Sequence, residues 1–352
     1  MPMPTSATEA PIARTVQVIA HRGASALRPE HTLAAYAQAI ADGADFIEPD
    51  LVMSRDGVLL ARHENEIGST TDVADHPEFA ARRTSRQVDG ETVSGWFSED
   101  FTLAELKTLR ARERLPQWRS TQYDGQFEIA TLEEIIELAA SASAGRARPL
   151  GIIPEIKHGS YFAGLGLAME DRVLATLAEH AWTRTASVVI QSFEVGNLRY
   201  LRRRLGDRHP NIQLLQLLGD PHEQPWDRRA AGDTLDYTRM TTTPGLRDIA
   251  GYADAIGPHV RAILPLDATG RFAAPTTLVR DAHAAGLEVH TYTFRPENHF
   301  LPPSLWQGDD PATFNETGCI TEIRAALDAG IDAFFTDAPA IGRKAVDERG
   351  GP

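Results

Sequence analysis

The stretch Val16-Gln17-Val18-Ile19-Ala20-His21-Arg22-Gly23 decides the fold that this sequence predicts. Its apolar and β-branched residues are typical of a buried β-strand, and two ionisable side chains follow directly. An Ala-rich helix is predicted next over Thr32–Ala41, and a second strand over Asp45–Val52. Strands that alternate with helices in this way indicate a parallel α/β fold.

The same alternation continues along the chain. A turn at Ser54–Gly57 and an extended piece at Val58–Arg62 predict a β-hairpin after the second strand. Later helices are predicted over Leu132–Ala140, Leu167–Ala181, Val195–Leu205, about Leu246–Tyr252, Pro275–Ala285 and Thr321–Ala329. Later strands are predicted over Gly151–Lys157, Ser187–Phe193, Ile212–Leu218, Ala255–Gly257, Ala262–Leu264, Glu288–Phe294 and Ala333–Thr336. Length and order favour a closed (β/α)8 TIM barrel over an open doubly wound sheet, and the first turn lacks the Gly-x-Gly-x-x-Gly of dinucleotide sites.

Residues 64–130 interrupt this rhythm, because they are polar and too many for an ordinary barrel loop. We expect a small inserted subdomain there that covers one face and contains a helical piece, Leu103–Arg112. Residues 15–345 are predicted to form the barrel domain, and residues 1–14 a flexible N-terminal tail.

Composition excludes several classes of protein. A formal net charge of −14 argues against nucleic acid or an anionic membrane surface as a partner. The single cysteine, Cys319, excludes an internal disulfide and a cysteine-based metal site. No apolar run predicts membrane insertion. As written, the chain is expected to be cytoplasmic, or periplasmic or secreted if a leader was removed; the sequence leaves the oligomeric state open.

Candidate functional residues lie at or just after the ends of predicted strands. They are His21, Arg22, Glu48, Asp50, His63, Glu155, Lys157, Gln191 and Tyr292. Catalytic groups of (β/α) barrels gather at the carboxyl ends of the strands, so we expect these side chains to converge.

Three of these residues, Glu48, Asp50 and Glu155, offer carboxylate oxygens. Glu48 and Asp50 are spaced i, i+2 on one strand, which points both to the same side. Oxygen ligands suit Ca²⁺ or Mg²⁺ rather than zinc, so the sequence predicts a site for a hard divalent cation.

The remaining candidates are basic or polar. Arg22 offers planar donors that match a phosphate, and Lys157 either adds a positive charge or forms a salt bridge. His21 and His63 are predicted to be an acid/base pair, because histidine carries protons near neutral pH. Gln191 and Tyr292 either contact substrate or pack the barrel mouth. Asp337, before Ala338-Pro339, is expected to be a turn or cap residue.

In this order, these blocks resemble the glycerophosphodiester phosphodiesterases, particularly the longer bacterial, periplasmic-type members. The blocks are His21-Arg22-Gly23, Pro29-Glu30-His31-Thr32, Glu48-Pro49-Asp50, Asp56-Gly57 with His63, Pro154-Glu155-Ile156-Lys157, Gln191-Ser192-Phe193, His290-Thr291-Tyr292-Thr293-Phe294-Arg295 and Phe335-Thr336-Asp337-Ala338-Pro339. One departure is that Glu64 follows the second histidine, where many members carry Asp.

The resemblance implies a TIM barrel with an insertion beside the site. It implies Ca²⁺ or Mg²⁺ at Glu48, Asp50 and Glu155, acid/base roles for His21 and His63, and phosphate contact by Arg22. It further implies metal-dependent hydrolysis of small glycerophosphodiesters, such as glycerophosphocholine and glycerophosphoethanolamine, to glycerol 3-phosphate and an alcohol.

Two other functions stay open at this point. A phospholipase D-like hydrolase of lysophospholipids needs an apolar mouth, which Trp96, Phe97, Phe101 and Trp118 could supply unless they form the core of the insertion. A barrel that binds phosphodiesters without turnover would need neither His21 nor His63.

Overall fold

The computed structural model describes residues 16–146, 148–206 and 208–350. The tail predicted over residues 1–14 lies outside the described residues. Eight parallel strands form a closed barrel with helices between successive strands, which confirms the predicted (β/α)8 fold. The first and last strands close it, with Gln17 aligned on Ala333 and Ala20 on Thr336.

The barrel strands follow one another around the barrel in chain order. They are β1 (Gln17–His21), β2 (Phe46–Glu48, continued by Asp50–Met53), β3 (Gly151–Ile152, continued by Glu155–Ile156), β4 (Val188–Ser192), β5 (Ile212–Leu218), β6 (Ala255–Pro258), β7 (Glu288–Phe294) and β8 (Ala333–Thr336). The predicted hairpin is also confirmed, because Leu59–Ala61 pairs antiparallel with the second part of β2.

Two prolines interrupt strands that the sequence predicts as continuous. Pro49 divides β2, and Pro154 divides β3, because proline has no backbone N–H to donate to a neighbouring strand. Both proline carbonyls still accept bonds, from Glu155 N and Gln191 N, each at 2.9 Å. The carboxyl-terminal halves of β2 and β3 therefore stay aligned with β4.

Helices cover the outside of the barrel. The α-helices are Leu33–Ala41, Leu103–Leu106, Leu132–Ser143, Gly159–Gly164, Glu170–Glu179, Val195–Leu205, Trp226–Ala230, Tyr237–Met240, Thr243–Ile249, Val260–Ile263, Leu278–Ala284, Glu316–Asp328 and Pro339–Asp347. Short 3₁₀-helices are Val73–Asp75, Pro77–Arg82, Ser98–Asp100, Asn298–Phe300, Pro303–Leu305 and Glu348–Gly350.

Two sequence predictions of local structure are wrong. The strand predicted over Ala262–Leu264 is part of a helix, Val260–Ile263, whose first turn is capped by the His259 side chain. A short apolar run does not distinguish strand from helix. The helix predicted over Leu103–Arg112 ends at Leu106, and the chain then extends so that Arg110 N bonds to the Asp72 carboxylate at 2.8 Å.

The connection between Ala61 and the helix at Leu132 carries its own secondary structure. It contains an antiparallel hairpin, Thr84–Val88 with Glu91–Gly95, whose turn is Asp89-Gly90. Elsewhere in this connection Phe97 and Phe101 are fully buried, and Phe101 belongs to the main hydrophobic core.

Apolar side chains divide into two layers, because alternate residues of a strand face opposite sides. One layer lies between strands and helices and includes Val18 and Ala20. A second, smaller cluster includes Ile19, Ile153, Val189, Leu215, Ala333 and Phe335. The i, i+2 spacing puts its members on the opposite strand face, inside the barrel.

No helix within the described ranges 16–146, 148–206 and 208–350 has the length and apolar character to cross a bilayer.

Candidate active site

The strand pattern that fills the barrel with apolar residues also directs the polar candidates inward. His21, Glu155 and Gln191 each lie two residues after a member of the inner cluster, namely Ile19, Ile153 and Val189. They therefore face the same interior, one layer closer to the carboxyl ends of the strands. The strand register aligns His21 with Glu48 and Glu155 with both Asp50 and Gln191.

Glu48, Asp50 and Glu155 form a buried carboxylate cluster whose ligand atoms lie within 4.8 Å of one another. Burial and the neighbouring carboxylates raise the pKa of Glu48 well above its ordinary range. Burial raises the pKa of Glu155 as well, with Asp50 adding to the rise and Lys157 opposing it. This unfavourable concentration of negative charge, made of hard oxygen donors, fits a divalent cation. The arrangement supports the predicted metal site and does not identify the ion.

His31 and Tyr36 hold the central carboxylate of this cluster. His31 Nε2 lies 2.9 Å from Asp50 Oδ2, and its Nδ1 lies 2.8 Å from the Tyr36 hydroxyl. Although burial opposes it, Lys157 and His31 keep the pKa of Asp50 well below its usual range. Asp50 therefore stays ionised while its two neighbours are harder to ionise.

Arg22 bridges the carboxylate cluster and the long connection. Its backbone N donates to Glu48 Oε2 at 2.8 Å, and its guanidinium lies 3.2 Å from Asp50 Oδ2 and 3.1 Å from Glu30 Oε2. Arg114 binds Glu30 from the other side with two bonds. Arg22 has a left-handed φ of 61°, and Gly23 follows at 86°. A Cβ at position 23 would lie 2.7 Å from the Ala35 backbone, so only glycine fits the turn that presents Arg22.

His21 is oriented by Asp337. The His21 Nδ1 atom lies 2.6 Å from Asp337 Oδ1, and the other oxygen of Asp337 accepts bonds from Arg119 and Arg295. Burial lowers the pKa of His21 to about 4, Arg22 adds to the fall, and Asp337 opposes it. Because an ionised carboxylate only accepts, Nδ1 carries the proton and Nε2 is left able to accept one. The expectation that Asp337 is only a turn or cap residue is therefore wrong.

His63 has a comparable partner. Its Nδ1 atom lies 2.6 Å from Glu64 Oε1, a close charge contact without the angle of a hydrogen bond. Burial lowers the pKa of His63 well below its ordinary value, and Arg22 and Lys157 contribute, while Glu64 opposes. Both candidate histidines thus have a carboxylate at Nδ1 and a neutral ring.

A cavity of about 120 Å³ brings the candidates together. Its walls include His21, Arg22, Glu48, His63, Glu155, Lys157, Gln191, Tyr292 and Arg295. Lys157 Nζ lies 2.8 Å from Glu155 Oε1, so the salt bridge is formed. Gln191 Nε2 donates to Glu48 Oε1 at 3.0 Å, and the Tyr292 hydroxyl donates to Leu218 O at 2.7 Å. Both side chains line the cavity and also hold its walls.

A second cavity, of about 520 Å³, shares His63, Glu155, Lys157 and Phe193 with the first. Carboxylates and aromatic rings dominate its other walls: Glu64, Asp89, Glu91, Glu194, Glu223, Trp226 and Tyr237. The site therefore has a small compartment at the barrel mouth and a larger one on the His63 side.

The sequence pattern assigned no site contact to several residues that surround this site. Asp337 contacts His21 and accepts bonds from Arg119 and Arg295, and Glu30 contacts Arg22 and Arg114. The contacts span up to 316 residues, so no local spacing could reveal them. The usable signals were the placement of Asp337 directly after the last strand and the presence of Glu30, Arg295 and Asp337 in the quoted blocks.

Comparison with known proteins identifies the family of this chain. The sequence model of the glycerophosphoryl diester phosphodiesterase family matches residues 21–341, nearly the whole chain. The chain belongs to this family. Membership makes it an enzyme, a phosphoric diester hydrolase, and confirms the resemblance that the ordered motifs indicate.

Curated relatives agree with this assignment. The phosphodiesterase is 35% identical over 332 residues to a glycerophosphodiester phosphodiesterase of Arabidopsis thaliana, covering 91% of this chain and 82% of the plant protein. It is 28% identical over 349 residues to a glycerophosphodiester phosphodiesterase of Treponema pallidum, covering 92% of each chain.

Solved structures share the barrel. A structure from Silicibacter pomeroyi aligns with a TM-score of 0.63 and 22% identity, covering 96% of the phosphodiesterase and 95% of that chain. A phosphodiesterase of Oleispira antarctica, solved in complex with its product sn-glycerol-3-phosphate, aligns with a TM-score of 0.57 and 21% identity, covering 95% and 97%. At this level of identity the likeness establishes the fold.

Proposed function

We propose that this phosphodiesterase hydrolyses small glycerophosphodiesters to glycerol 3-phosphate and an alcohol. Glu48, Asp50 and Glu155 would hold a divalent cation, Ca²⁺ or Mg²⁺, and His21 and His63 would be the proton carriers. The observation that carries the proposal is that His21, His63, Glu48 and Glu155 line one small cavity, with Asp50 beside it in the carboxylate cluster, where the ligand atoms lie within 4.8 Å of one another. The product bound to the Oleispira antarctica relative supports the same product here.

A divalent cation bound by the three carboxylates would offset phosphate charge and stabilise the charge that develops in the transition state. Arg22 adds planar donors for the phosphate oxygens. Burial opposes the charge of Arg22, but Glu30 and Asp50 raise its pKa, so the guanidinium stays charged inside the site.

The two histidines divide the proton transfers between the two compartments. His21 lines only the smaller of these cavities and accepts a proton at Nε2 from the attacking group, which is either water or the substrate's glycerol 2-hydroxyl. In the second case a cyclic phosphate forms as the alcohol leaves, and water then opens it to glycerol 3-phosphate. His63 lines both cavities and gives a proton to the leaving oxygen as the phosphorus–oxygen bond breaks. The charge of the bound phosphate favours the protonated His63 that this second transfer requires.

Choline and ethanolamine are the leaving alcohols that the larger cavity favours. Its carboxylates attract a cation, and Phe193, Trp226 and Tyr237 present rings suited to an ammonium group. We expect a higher kcat/KM for glycerophosphocholine than for glycerophosphoglycerol, whose leaving alcohol is neutral. Equal values would contradict this preference without affecting the reaction class.

The first test is release of glycerol 3-phosphate from glycerophosphocholine, with EDTA and then with Ca²⁺ or Mg²⁺ restored. We expect release only with metal, and none from His21→Ala under either condition. Full activity in EDTA would contradict the metal site. Full activity of His21→Ala would contradict the proton-transfer assignment.

The phospholipase D-like alternative receives less support from the structure. The aromatic residues considered for an apolar mouth have other contacts: Phe97 and Phe101 are buried, and Trp96 donates to Phe79 O at 2.8 Å. Trp118 stacks on His299 with ring centroids 3.8 Å apart. Lysophosphatidylcholine is therefore expected to be cleaved much more slowly than glycerophosphocholine, and faster cleavage would reverse this order.

A further inference from the structure

A chain of four side chains runs from His63 to the tip of the hairpin at Thr84–Gly95. His63 Nδ1 lies 2.6 Å from Glu64 Oε1, and Glu64 Oε2 lies 3.2 Å from His158 Nε2. His158 Nδ1 lies in turn 2.6 Å from Asp89 Oδ2, in the hairpin turn. The contacts join positions 94 and 69 residues apart, and the family motifs quoted above do not include His158 or Asp89.

We propose that Glu64, His158 and Asp89 are positioning residues, which fix the ring orientation and tautomer of His63 and so couple the hairpin to proton transfer. This inference rests on the proposed function, in which His63 protonates the leaving oxygen. None of the three is assigned contact with the reacting atoms.

The backbone conformation of Asp89 and His158 is the first observation that supports a positioning role for these contacts. Asp89 and His158 both have a left-handed φ of 50°. Residues other than glycine adopt this region at a cost, and they keep it only where their surroundings over-determine it. At both residues the side chain takes part in the same hydrogen bond, so the two strained positions support each other.

Packing fixes the hairpin turn from its other side. A Cβ at Gly90, directly after Asp89, would lie 2.6 Å from the Trp226 ring. The turn therefore packs against Trp226 while Asp89 binds His158. The hairpin forms one wall of the 520 Å³ cavity and is held at two points.

Proton positions along the chain follow from the donors and acceptors. Burial opposes the charge of His158, but Asp89 and Glu64 raise its pKa to about 9. A charged imidazolium donates from both nitrogens, so it satisfies Asp89 and Glu64 together. The other oxygen of Glu64 lies 2.6 Å from His63 Nδ1, where its negative charge favours a proton on Nδ1 and leaves Nε2 for the site. The other charged or titratable groups that line this cavity with them include Glu91, Glu155, Lys157, Glu194, His222, Glu223 and Arg229.

The test separates positioning of His63 from general damage by changing the leaving group. Glycerophosphocholine needs a proton on its leaving oxygen, whereas the 4-nitrophenyl ester of glycerol 3-phosphate does not. We expect Glu64→Gln, His158→Gln and Asp89→Asn to lower kcat for glycerophosphocholine roughly tenfold to a hundredfold. The comparison rests on kcat, because Glu64→Gln and Asp89→Asn also remove negative charge from the larger cavity and so raise KM for the choline substrate. Turnover of the nitrophenyl ester should change less than threefold, by the same reasoning on leaving-group protonation.

Two controls make the result decisive. His76 also lies between two carboxylates, Asp72 and Glu78, within the same connection but in neither cavity lining. His76→Gln should therefore keep wild-type rates on both substrates. Asp89→Asn is the mildest variant, because asparagine tolerates left-handed φ and has the same shape.

The outcomes distinguish failure of the positioning role from failure of the proposed function. If His63→Ala itself keeps full activity on glycerophosphocholine, the proposed function fails and the inference fails with it. If His63→Ala loses activity but His158→Gln and Asp89→Asn do not, only the positioning chain is wrong. Equal losses on both substrates would show a structural role instead.

Discussion

Asp337 is the residue for which the structure departs most from the sequence prediction of a turn or cap residue. Its two oxygens take a bond from His21 and bonds from Arg119 and Arg295. Burial opposes ionisation of Asp337, but Arg119, Arg295 and His21 hold its pKa well below the ordinary range. An always-ionised acceptor at Nδ1 permits only one tautomer of neutral His21.

Replacing Asp337 by asparagine tests this arrangement at the level of one residue. The amide nitrogen of Asp337→Asn can donate to Nδ1 and so favour the wrong tautomer. We expect kcat to fall by roughly 10² or more, on the scale seen when an analogous orienting carboxylate is lost. Steady-state kinetics with glycerophosphocholine measure it, and the exposed Asp347→Asn serves as the control. A fall in KM alone would contradict this role.

The position of a single site residue can be predicted from the sequence only where its place on a strand fixes which way the side chain points. Glu48, Asp50, Glu155 and Gln191 could be predicted because strand ends and i, i+2 spacing place them on one side. His158 and Arg119 could not, since their partners come from distant parts of the chain. Their roles depend on how the connection packs, which no local pattern encodes. The roles of the predicted site residues themselves remain predictions until variants are measured.

At the level of elements, the barrel strands were predictable and their interruptions were not. Short apolar, β-branched runs predicted all eight strands together with one that is wrong, Ala262–Leu264, and the bounds of β5 and β7 match the prediction. The divisions at Pro49 and Pro154 escaped it, because the surrounding apolar residues still suggest one strand. That residues 64–130 form an inserted subdomain also remains a prediction.

Arg119 connects that long connection to two barrel elements. Its side chain is 5% exposed and binds Glu297, after β7, together with Asp337, after β8. Arg119→Met keeps the length of the side chain but leaves two buried carboxylates without this cation. We expect the free energy of unfolding to fall by about 3–5 kcal/mol. Urea denaturation measures it, and the control is Arg148→Met, since Arg148 forms an exposed pair with Asp347. Equal losses in the two variants would contradict the argument.

At the level of the whole molecule, the buried carboxylate cluster links stability to metal. A ligand that binds the folded state alone stabilises it by about 2.7 kcal/mol at a hundred times its Kd. We therefore expect Ca²⁺ or Mg²⁺ to raise Tm, and Glu48→Gln to abolish most of that rise. Glu137 is exposed on the helix Leu132–Ser143, so Glu137→Gln should respond to the metal as the wild type does. If neither ion changes Tm, the cation binds elsewhere or does not bind tightly.

The pairing of β1 with β8, and of His21 with Asp337, sets the order in which activity can arise during synthesis. A ribosome that has translated the first 300 residues has already made both histidines, Arg22 and the whole carboxylate cluster. That nascent chain still lacks the strand that closes the barrel and the acid that orients His21. Since chains fold from the N-terminus as they emerge, we expect full activity only after β8 and Asp337 have left the exit tunnel. The nascent enzyme is therefore expected to lack full activity until nearly all of its chain has been translated.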